Sequence, residues 1–317
     1  MWVRTEDALG ETRRMVTTPR PIIDEVVRSV CGRGVQVLAP LAGGGMNETY
    51  RAELDGNIAV VVRIARRPTP WFNDEAHLMA QARAVGVPAA EVLGVEHREH
   101  DHDLLSFSIQ QFLPGASLAK LTGRLSASDL ERLVADAGEI LARVHSVVPD
   151  QQVIRHELRP PDEHEVTRVA RIVNDVIGRS AAATVERGAD FLRDQVRTRT
   201  PAPVSLVHGD FYPENLLIHD GAIAGLIDWE FAGAAPPAYD FAQWAVDSGD
   251  PLDDRLDLVR HGYARVADPD SAEAGWTPAF SVDWALEKLG WKNPASPAQF
   301  RRCLDVIARS CRHLDNA

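Results

Sequence analysis

The pattern of apolar and polar positions divides the chain into a strand-rich first part and a helix-rich second part. Apolar positions at helical spacing predict helices at Ile22–Cys31 and Phe72–Val85. Short apolar runs bounded by turn residues predict strands at Val35–Leu38, Arg51–Leu54, Asn57–Ile64, Glu91–Glu96 and Leu104–Gln111. The first hundred or so residues are therefore expected to form a mostly β lobe.

The pattern changes to helical periodicity after a Pro-Gly turn. Ser126–Val148 is the clearest helix, because an apolar stripe follows a capping box made by Ser126 and Asp129. A second long helical region is predicted over about Asp162–Arg197, beginning after two prolines. The last helices are expected at Asp253–Ala267, Val282–Leu289 and Pro297–Leu314.

The segment Leu206–Ala242 interrupts this helical part with a strand, a loop and a β-hairpin. The hairpin turns at Asp220-Gly221, so that Asn215 lies at its entrance and Asp228 at its exit. The preceding loop contains His208-Gly209-Asp210. Three oxygen-bearing side chains are thus expected at one end of a small sheet.

Such a set of side chains suits magnesium and a transferring phosphoryl group. A hard cation takes carboxylate and amide oxygens, and a second carboxylate can accept the proton of an attacking hydroxyl. The alternative is a surface hairpin with ordinary solvated Asp and Asn residues, which requires all of these features to coincide by accident.

Two features of the first part suggest phosphate binding. Gly43, Gly44 and Gly45 would let backbone N–H groups approach phosphates, although the loop lacks the Gly-Lys-Ser/Thr ending of a P-loop. Arg63 lies in an apolar strand and needs an anionic partner, for which Glu75 in the next helix is the candidate. This pair is interpreted either as a structural salt bridge or as a grip on nucleotide phosphates.

Composition narrows the function classes. A chain of 317 residues can form two domains or one large bilobal one, and no apolar run is long enough to cross a membrane. The net charge of −12 disfavours a nucleic-acid partner, which would need a basic face. Three cysteines and an N-terminus without an apolar signal region lead to the expectation of a cytoplasmic protein.

Charge is concentrated after the hairpin. Asp240–Glu287 contains eleven Asp or Glu and three Arg, which indicates either a solvated acidic surface or a cleft for a cationic substrate. Tryptophans in the same region predict core packing, with room for one or two in the wall of a substrate pocket. They are Trp244, Trp276, Trp284 and Trp291.

The motifs at Leu206–Ala242 resemble those of the aminoglycoside phosphotransferase family. His-Gly-Asp-x-x-x-x-Asn, Ile-Asp-Trp-Glu and Ala-Tyr-Asp-Phe-Ala follow the family pattern in order and spacing. The resemblance implies an α+β, bilobal, protein-kinase-like fold with a β-rich N-terminal lobe and a mostly helical C-terminal lobe. The expected divisions are an N-terminal arm (1–20), a nucleotide-binding lobe (21–109), a hinge (110–115) and a helical lobe with the catalytic loop and substrate site (116–317).

The resemblance also implies roles for matching residues. Asp210 corresponds to the catalytic base, Asn215 and Asp228 to the magnesium ligands, and His208 to a structural member of the catalytic loop. Asp240 corresponds to the buried aspartate that braces this loop.

The nucleotide would be bound by residues earlier in the chain. Gly43–Asn47 matches the nucleotide-positioning loop, Glu75 the helix glutamate, and Gln110–Leu113 the hinge that binds adenine through its backbone. The implied nucleotide-binding set is Gly43, Gly44, Gly45, Asn47, Arg63, Glu75, Gln111, Phe112 and Leu113.

Two positions depart from the family pattern. Arg63 stands where many members have lysine, so the phosphate grip is expected to differ, since a guanidinium is not a compact point charge. Tyr212 stands where a histidine is frequent, and this change is expected to be tolerated.

The expected reaction is transfer of the γ-phosphoryl group of ATP or GTP, with Mg²⁺, to a hydroxyl of a small molecule. The first acceptor hypothesis is a cationic antibiotic, such as an aminoglycoside, a macrolide or a peptide antibiotic, whose phosphorylation gives resistance. The second is a metabolite, namely choline, homoserine, a sugar or a fructosamine. A third hypothesis is a nucleotide-binding regulator without catalysis, and Arg63 is its only support. The oligomeric state is left open.

Overall fold

The computed structural model describes residues 17–41, 47–66, 71–101, 103–149, 156–200, 204–249, 252, 255–290 and 297–312. These residues form two compact units, each with its own core. The first comprises the described residues of Met1–Phe72 together with Val92–Phe112, and the second those of Asn73–Glu91 and Leu113–Ala317.

The first unit is an antiparallel sheet of five strands, accompanied by one helix. Helix α1 (Arg20–Cys31) begins at a proline-containing first turn and ends at Gly32, whose φ of 65° suits glycine. The strands lie in the order β1-β2-β3-β5-β4. Their bounds are Val35–Pro40 (β1), Glu48–Leu54 (β2), Ile58–Ala65 (β3), Val92–His100 (β4) and Asp103–Gln111 (β5).

The core of this unit follows from alternation along the strands. Val60, Val62 and Ile64 of β3 are almost fully buried and share one face, and Phe107 of β5 is buried with them. The apolar side of α1, centred on Val26, packs on the same core. The helix and the strands predicted here from periodicity are confirmed.

The second unit is mostly helical. Its helices are α2 (Phe72–Ala84, from Asn73 onward), α3 (Leu118–Leu121), α4 (Ala127–His145), α5 (Glu163–Val176), α6 (Arg179–Thr198), α7 (Ala238–Asp247), α8 (Leu256–Tyr263), α9 (Pro269–Glu273), α10 (Thr277–Leu289) and α11 (Pro297–Arg312). The bounds of its strands are Ala116–Ser117 (β6), Ser205–Val207 (β7), Leu216–His219 (β8), Ala222–Leu226 (β9) and Gly233–Ala235 (β10). Strands β6, β8 and β9 form one antiparallel sheet, and β7 pairs with β10. The β-rich first unit and helix-rich second unit agree with the predicted fold class.

Two helical predictions need correction. The region predicted as one long helix is divided into α5 and α6, because the chain turns at Gly178 with φ of 123°, a conformation that side chains resist. The segment Ala238–Asp247 was not predicted as a helix. Eight of its ten residues are buried, so it has no polar face to reveal a helical period.

Ser126 is the N-cap of α4, as the predicted capping box requires, since its hydroxyl accepts the Asp129 backbone N–H at 3.1 Å. The Asp129 carboxylate bonds to the Ser126 hydroxyl. None of the described helices is both long enough and apolar enough to span a bilayer.

Helices α4 and α8 touch through glycines. A methyl group built on Gly138 of α4 would lie 2.0 Å from the carbonyl oxygen of Val259, and one on Gly262 of α8 would lie 1.7 Å from that of Ala135. Neither distance is possible for real atoms. The two backbones can therefore approach this closely only because both positions lack a side chain.

We predict that Gly262→Ala destabilises the protein by about 2 kcal/mol, because the added methyl group must push α4 and α8 apart. The measurement is the free energy of unfolding from urea titration. Gly123→Ala is the matched control, since a methyl group there meets nothing within 4 Å. Equal stability of the two variants would show that the helix contact does not require glycine.

Candidate active site

Two side chains of α7 hold the backbone of the loop that follows β7. The Asp240 carboxylate accepts the backbone N–H groups of His208 (2.8 Å) and Gly209 (2.9 Å). The Gln243 amide accepts the N–H of Phe211 at 2.9 Å and donates to the carbonyl of Gly209 at 2.7 Å. These four hydrogen bonds to the backbone of His208, Gly209 and Phe211 fix the loop relative to one helix.

Asp240 is itself supported from α4. Its side chain is fully buried, and His145 donates Nε2–H to its Oδ2 at 3.0 Å while His145 Nδ1 lies 3.2 Å from the Tyr263 hydroxyl. Burial alone would raise the pKa of Asp240, but the hydrogen bonds from His145 and from the Gly209 N–H hold this pKa below its usual value. The carboxylate is therefore anionic and accepts three hydrogen bonds.

Gly209 is required by the turn of this loop. Its φ is 81°, and a methyl group at this position would lie 2.2 Å from the carbonyl oxygen of Phe231. Both the backbone conformation and the lack of space exclude a side chain. The loop thus presents Asp210 in one conformation.

His208 joins the loop to the end of the hairpin. Its Nδ1 accepts the Asp210 N–H at 3.3 Å, and its Nε2–H donates to the carbonyl of Ile227 at 3.0 Å. Burial lowers the pKa of His208, so the ring is neutral and this tautomer satisfies both bonds. Its ring also meets Trp229 edge-on at 4.8 Å. His208 therefore links the loop backbone to the end of the hairpin.

Asp210 and Asn215 are in direct contact. The Asn215 side-chain nitrogen donates to both the carboxylate Oδ2 and the backbone carbonyl of Asp210, each at 2.8 Å. Burial raises the pKa of Asp210 to about 7, with the negative charges of Asp228 and Asp247 adding to the rise. The Asn215 bond and the charge of Lys288 oppose the rise. Asp210 is therefore a buried carboxyl group whose pKa lies well above that of a solvated aspartate.

Asp228 follows β9 directly and has a left-handed backbone, with φ of 66°. The N–H of the preceding residue, Ile227, donates to the backbone carbonyl of Asn215 at 3.0 Å. This bond fixes Asp228 relative to Asn215. The structure therefore brings together the four residues predicted for catalysis, His208, Asp210, Asn215 and Asp228.

The donor set fits a magnesium ion. The Asn215 amide nitrogen already bonds to Asp210, so the amide oxygen is the atom left to meet a cation, and Asp228 supplies a carboxylate. Within the described part of the chain, no three His, Cys, Asp or Glu side chains are grouped so as to hold a metal by themselves. Two protein ligands suit Mg²⁺, which usually retains water and phosphate oxygens as its other ligands.

The structure describes only some of the predicted nucleotide-binding residues. Gly43, Gly44 and Gly45 lie outside the described residues. Arg63 is 9% exposed in β3, with its guanidinium 5.5 Å from the centre of the Phe72 ring. Asn47 precedes β2 and is half-buried.

The remaining predicted nucleotide-binding residues lie on α2 and at the end of β5. Glu75 is buried in α2, Gln111 is exposed at the end of β5, and Phe112 lies under the Arg51 guanidinium at 4.7 Å. Leu113 belongs to the second unit, where its side chain covers Gly225.

Several acidic residues of Asp240–Glu287 have structural partners. Glu273 makes two bonds to Arg260, at 2.7 and 2.8 Å, and Asp257 pairs with the same arginine. Asp268 caps α9 by accepting two backbone N–H groups. Asp240 is bonded to the backbone of the loop that follows β7. These four carboxylates therefore have partners within the fold.

Sequence reasoning missed three contacts of the site. Gln243 lies three residues after Asp240, on the same side of α7, and a recognised helix would have pointed to it. His145 lies at the end of α4, and its bond to Asp240 spans 95 positions of sequence. Asp247 and its partner Lys288 are likewise separated along the chain and joined in space.

Comparisons with known proteins agree with this geometry. A sequence model described as the phosphotransferase enzyme family matches residues 37–274. The chain is 23% identical over 269 residues to a homoserine kinase of Gluconobacter oxydans, covering 80% of this chain and 82% of that protein. It is 31% identical over 216 residues to a homoserine kinase of Beijerinckia indica, covering 59% and 67% respectively.

Solved structures show the same fold. The spectinomycin phosphotransferase APH(9)-Ia, in complex with ADP and spectinomycin, superposes with a TM-score of 0.68 at 13% identity, covering 92% of this chain and 98% of that one. A putative fructosamine-3-kinase from Thermobifida fusca superposes with a TM-score of 0.61 at 19% identity, with the same coverage. Since the family match spans most of the sequence, the chain belongs to the phosphotransferase enzyme family, whose members phosphorylate hydroxyl groups of small molecules.

Proposed function

We propose that this protein transfers the γ-phosphoryl group of ATP or GTP to a hydroxyl group of a small molecule, with Asp210 as the base. The observation that carries this proposal is the contact of Asp210 with Asn215 in a loop whose backbone is fixed by Asp240 and Gln243. This arrangement supplies a positioned carboxylate and oxygen ligands for a cation, which are the protein parts that phosphoryl transfer needs.

Asp210 orients the acceptor hydroxyl and accepts its proton as the new oxygen–phosphorus bond forms. Burial raises the pKa of Asp210 to about 7, which suits a group that accepts a proton near neutral pH. Asn215 holds the carboxylate through Oδ2, which leaves Oδ1 to accept the proton of the acceptor hydroxyl. His208 and Asp240 contribute by fixing the loop and take no part in proton transfer.

Asn215 and Asp228 would hold Mg²⁺. When bound, the ion supplies charge neutralisation for the phosphate oxygens. Arg63, Glu75 and the loop Gly43–Asn47 would bind the nucleotide phosphates, and the backbone of Gln111, Phe112 and Leu113 would bind the base. Spectinomycin phosphotransferase, which has the same fold, was crystallised with ADP, and this supports nucleotide binding here.

Two acceptor classes come from the comparisons. The fold of spectinomycin phosphotransferase, which is 13% identical to this chain, supports an antibiotic acceptor. Phosphorylation of such an acceptor would give resistance. Two homoserine kinases, 23% and 31% identical to this chain over the matched residues, support a metabolite acceptor. The sequence relatives therefore favour the metabolite.

The test is ADP release from ATP or GTP with Mg²⁺ and a panel of aminoglycosides, macrolides, peptide antibiotics, homoserine, choline, sugars and fructosamines. We expect turnover with at least one hydroxyl compound and little without an acceptor. Tight nucleotide binding with no turnover on any compound would contradict the proposal.

We predict that Asp210→Asn lowers kcat by about a thousandfold, because an amide cannot accept the hydroxyl proton. Nucleotide affinity, measured by fluorescence titration, should change little. Asp220→Asn is the matched control, since Asp220 lies in the exposed hairpin turn. Near-normal turnover of Asp210→Asn would exclude Asp210 as the base.

We also predict that Asp228→Asn raises the magnesium concentration at half-maximal rate by about tenfold or more, because a neutral amide is a weaker ligand than a carboxylate. The measurement is the rate as a function of free Mg²⁺ at saturating nucleotide. An unchanged magnesium dependence, with the fold intact by circular dichroism, would exclude Asp228 as a ligand.

A further inference from the structure

The segment 113–117, which follows β5, packs closely on the hairpin of β8 and β9. A methyl group built on Gly225 of β9 would lie 2.6 Å from Cδ1 of Leu113, and one on Gly115 would lie 2.6 Å from the carbonyl oxygen of Ile218. At Gly115 the neighbour is backbone, so a side chain there would separate the segment from the hairpin. All of these residues belong to the second unit.

Backbone pairing continues this contact. Strand β6 pairs with β8 in antiparallel register and so completes the sheet β6-β8-β9. The proposed magnesium ligands lie at one end of the same sheet, because Asn215 directly precedes β8 and Asp228 follows β9. One small sheet therefore joins the chain that leaves the proposed base-binding segment to both proposed ligands of the metal.

A side-chain hydrogen bond completes this arrangement. The Ser117 hydroxyl donates to Oε2 of Glu214 at 2.9 Å, across 97 positions of sequence. Glu214 lies in the short turn Pro213–Asn215, and the last residue of this turn donates to Asp210. The bond thus attaches the turn that carries Asn215 to strand β6.

The Ser117 side chain does not cap the helix that it precedes. Serine usually caps a helix by accepting a backbone N–H of the first turn. Ser117 is the N-cap residue of α3, yet its side chain makes no such bond. The residue is buried, and its hydroxyl bonds to Glu214 instead. Stability of α3 therefore does not account for a serine at this position.

A nucleotide that is held at both ends requires a constant separation of the two groups that bind it. In the proposed function, the backbone of residues 111–113 binds the base, and Asn215 and Asp228 hold the ion on the phosphates. A displacement of either end reduces the share of productively bound nucleotide, since phosphoryl transfer depends on accurate positioning.

We propose that Glu214, acting through Ser117, is a positioning residue that holds Asn215 at a fixed distance from the base-binding segment. It thereby determines how tightly the protein binds the magnesium form of the nucleotide, and it makes no contact with the acceptor. This role rests on the proposed phosphotransferase function and adds one residue to its nucleotide site.

The first experiment measures nucleotide affinity by fluorescence titration, which needs no turnover. Glu214→Ala should weaken binding of the preferred nucleotide, ATP or GTP, with Mg²⁺ by about fivefold, through loss of one hydrogen bond. With EDTA in place of Mg²⁺ the affinity should change by less than about twofold, because Asn215 then has no ion to hold. Equal losses in both conditions, or no loss in either, would overturn the inference.

Further variants separate the hydrogen bond from the negative charge. Glu214→Gln should bind within about twofold of the unaltered protein, because its amide oxygen still accepts the Ser117 hydroxyl. Ser117→Ala should weaken binding as much as Glu214→Ala, and the double variant should bind no more weakly than either single variant. Glu186→Ala and Ser180→Ala, at exposed positions of α6, are the matched controls. Additive losses in the double variant would overturn the inference, since the two side chains would then act independently.

Steady-state kinetics and melting temperature distinguish the remaining roles. For Glu214→Ala we expect a raised KM for nucleotide and an unchanged KM for the acceptor. A raised KM for a cationic acceptor alone would overturn the inference and make Glu214 an acceptor-binding residue. A lowered melting temperature with unchanged nucleotide affinity would overturn it too, because the bond would then be only structural. No turnover of any hydroxyl compound by the unaltered protein would contradict the proposed function, while the titrations test Glu214 separately.

Discussion

One buried carboxylate, that of Asp240, determines the geometry on which the candidate active site depends. An anionic group without water must be fully hydrogen-bonded, and Asp240 meets this requirement with two backbone N–H groups of the catalytic loop and with His145. The loop, the end of α4 and the first turn of α7 are therefore held at one point. A displacement of any of the three would leave a buried charge with an incomplete set of partners.

The attachment of the loop continues along α7. Gln243 repeats the attachment one turn later by bonding to both Phe211 and Gly209. Asp247 occupies the same face two turns beyond Asp240, where it pairs with Lys288. One helix thus carries both side chains that hold the loop, and Asp247 on the same face. Placing a site on rigid elements limits the loss of precision that mobile loops would cause.

The sequence predicts the local parts of this arrangement well. The hairpin of β8 and β9, the turn at Asp220 and Gly221, and the contact of Asp210 with Asn215 all arise within a few residues of chain, so turn chemistry and strand alternation are sufficient. The bonds from His145 to Asp240 and from Trp284 to Asp247 join residues far apart in sequence. The spacing of apolar residues carries no information about such pairings. In a helix buried on nearly all sides, such as α7, this spacing does not reveal the helical period either.

Transfer of a phosphoryl group to carbon-bound oxygen is observed most directly by phosphorus-31 NMR of the protein with ATP, Mg²⁺ and the acceptor panel. The structure predicts a new phosphomonoester signal that grows as the ATP signals are replaced by those of ADP, and that is missing without acceptor. Unchanged ATP across the whole panel, or ADP and inorganic phosphate with no ester signal, would contradict a phosphotransferase acting on small-molecule hydroxyl groups.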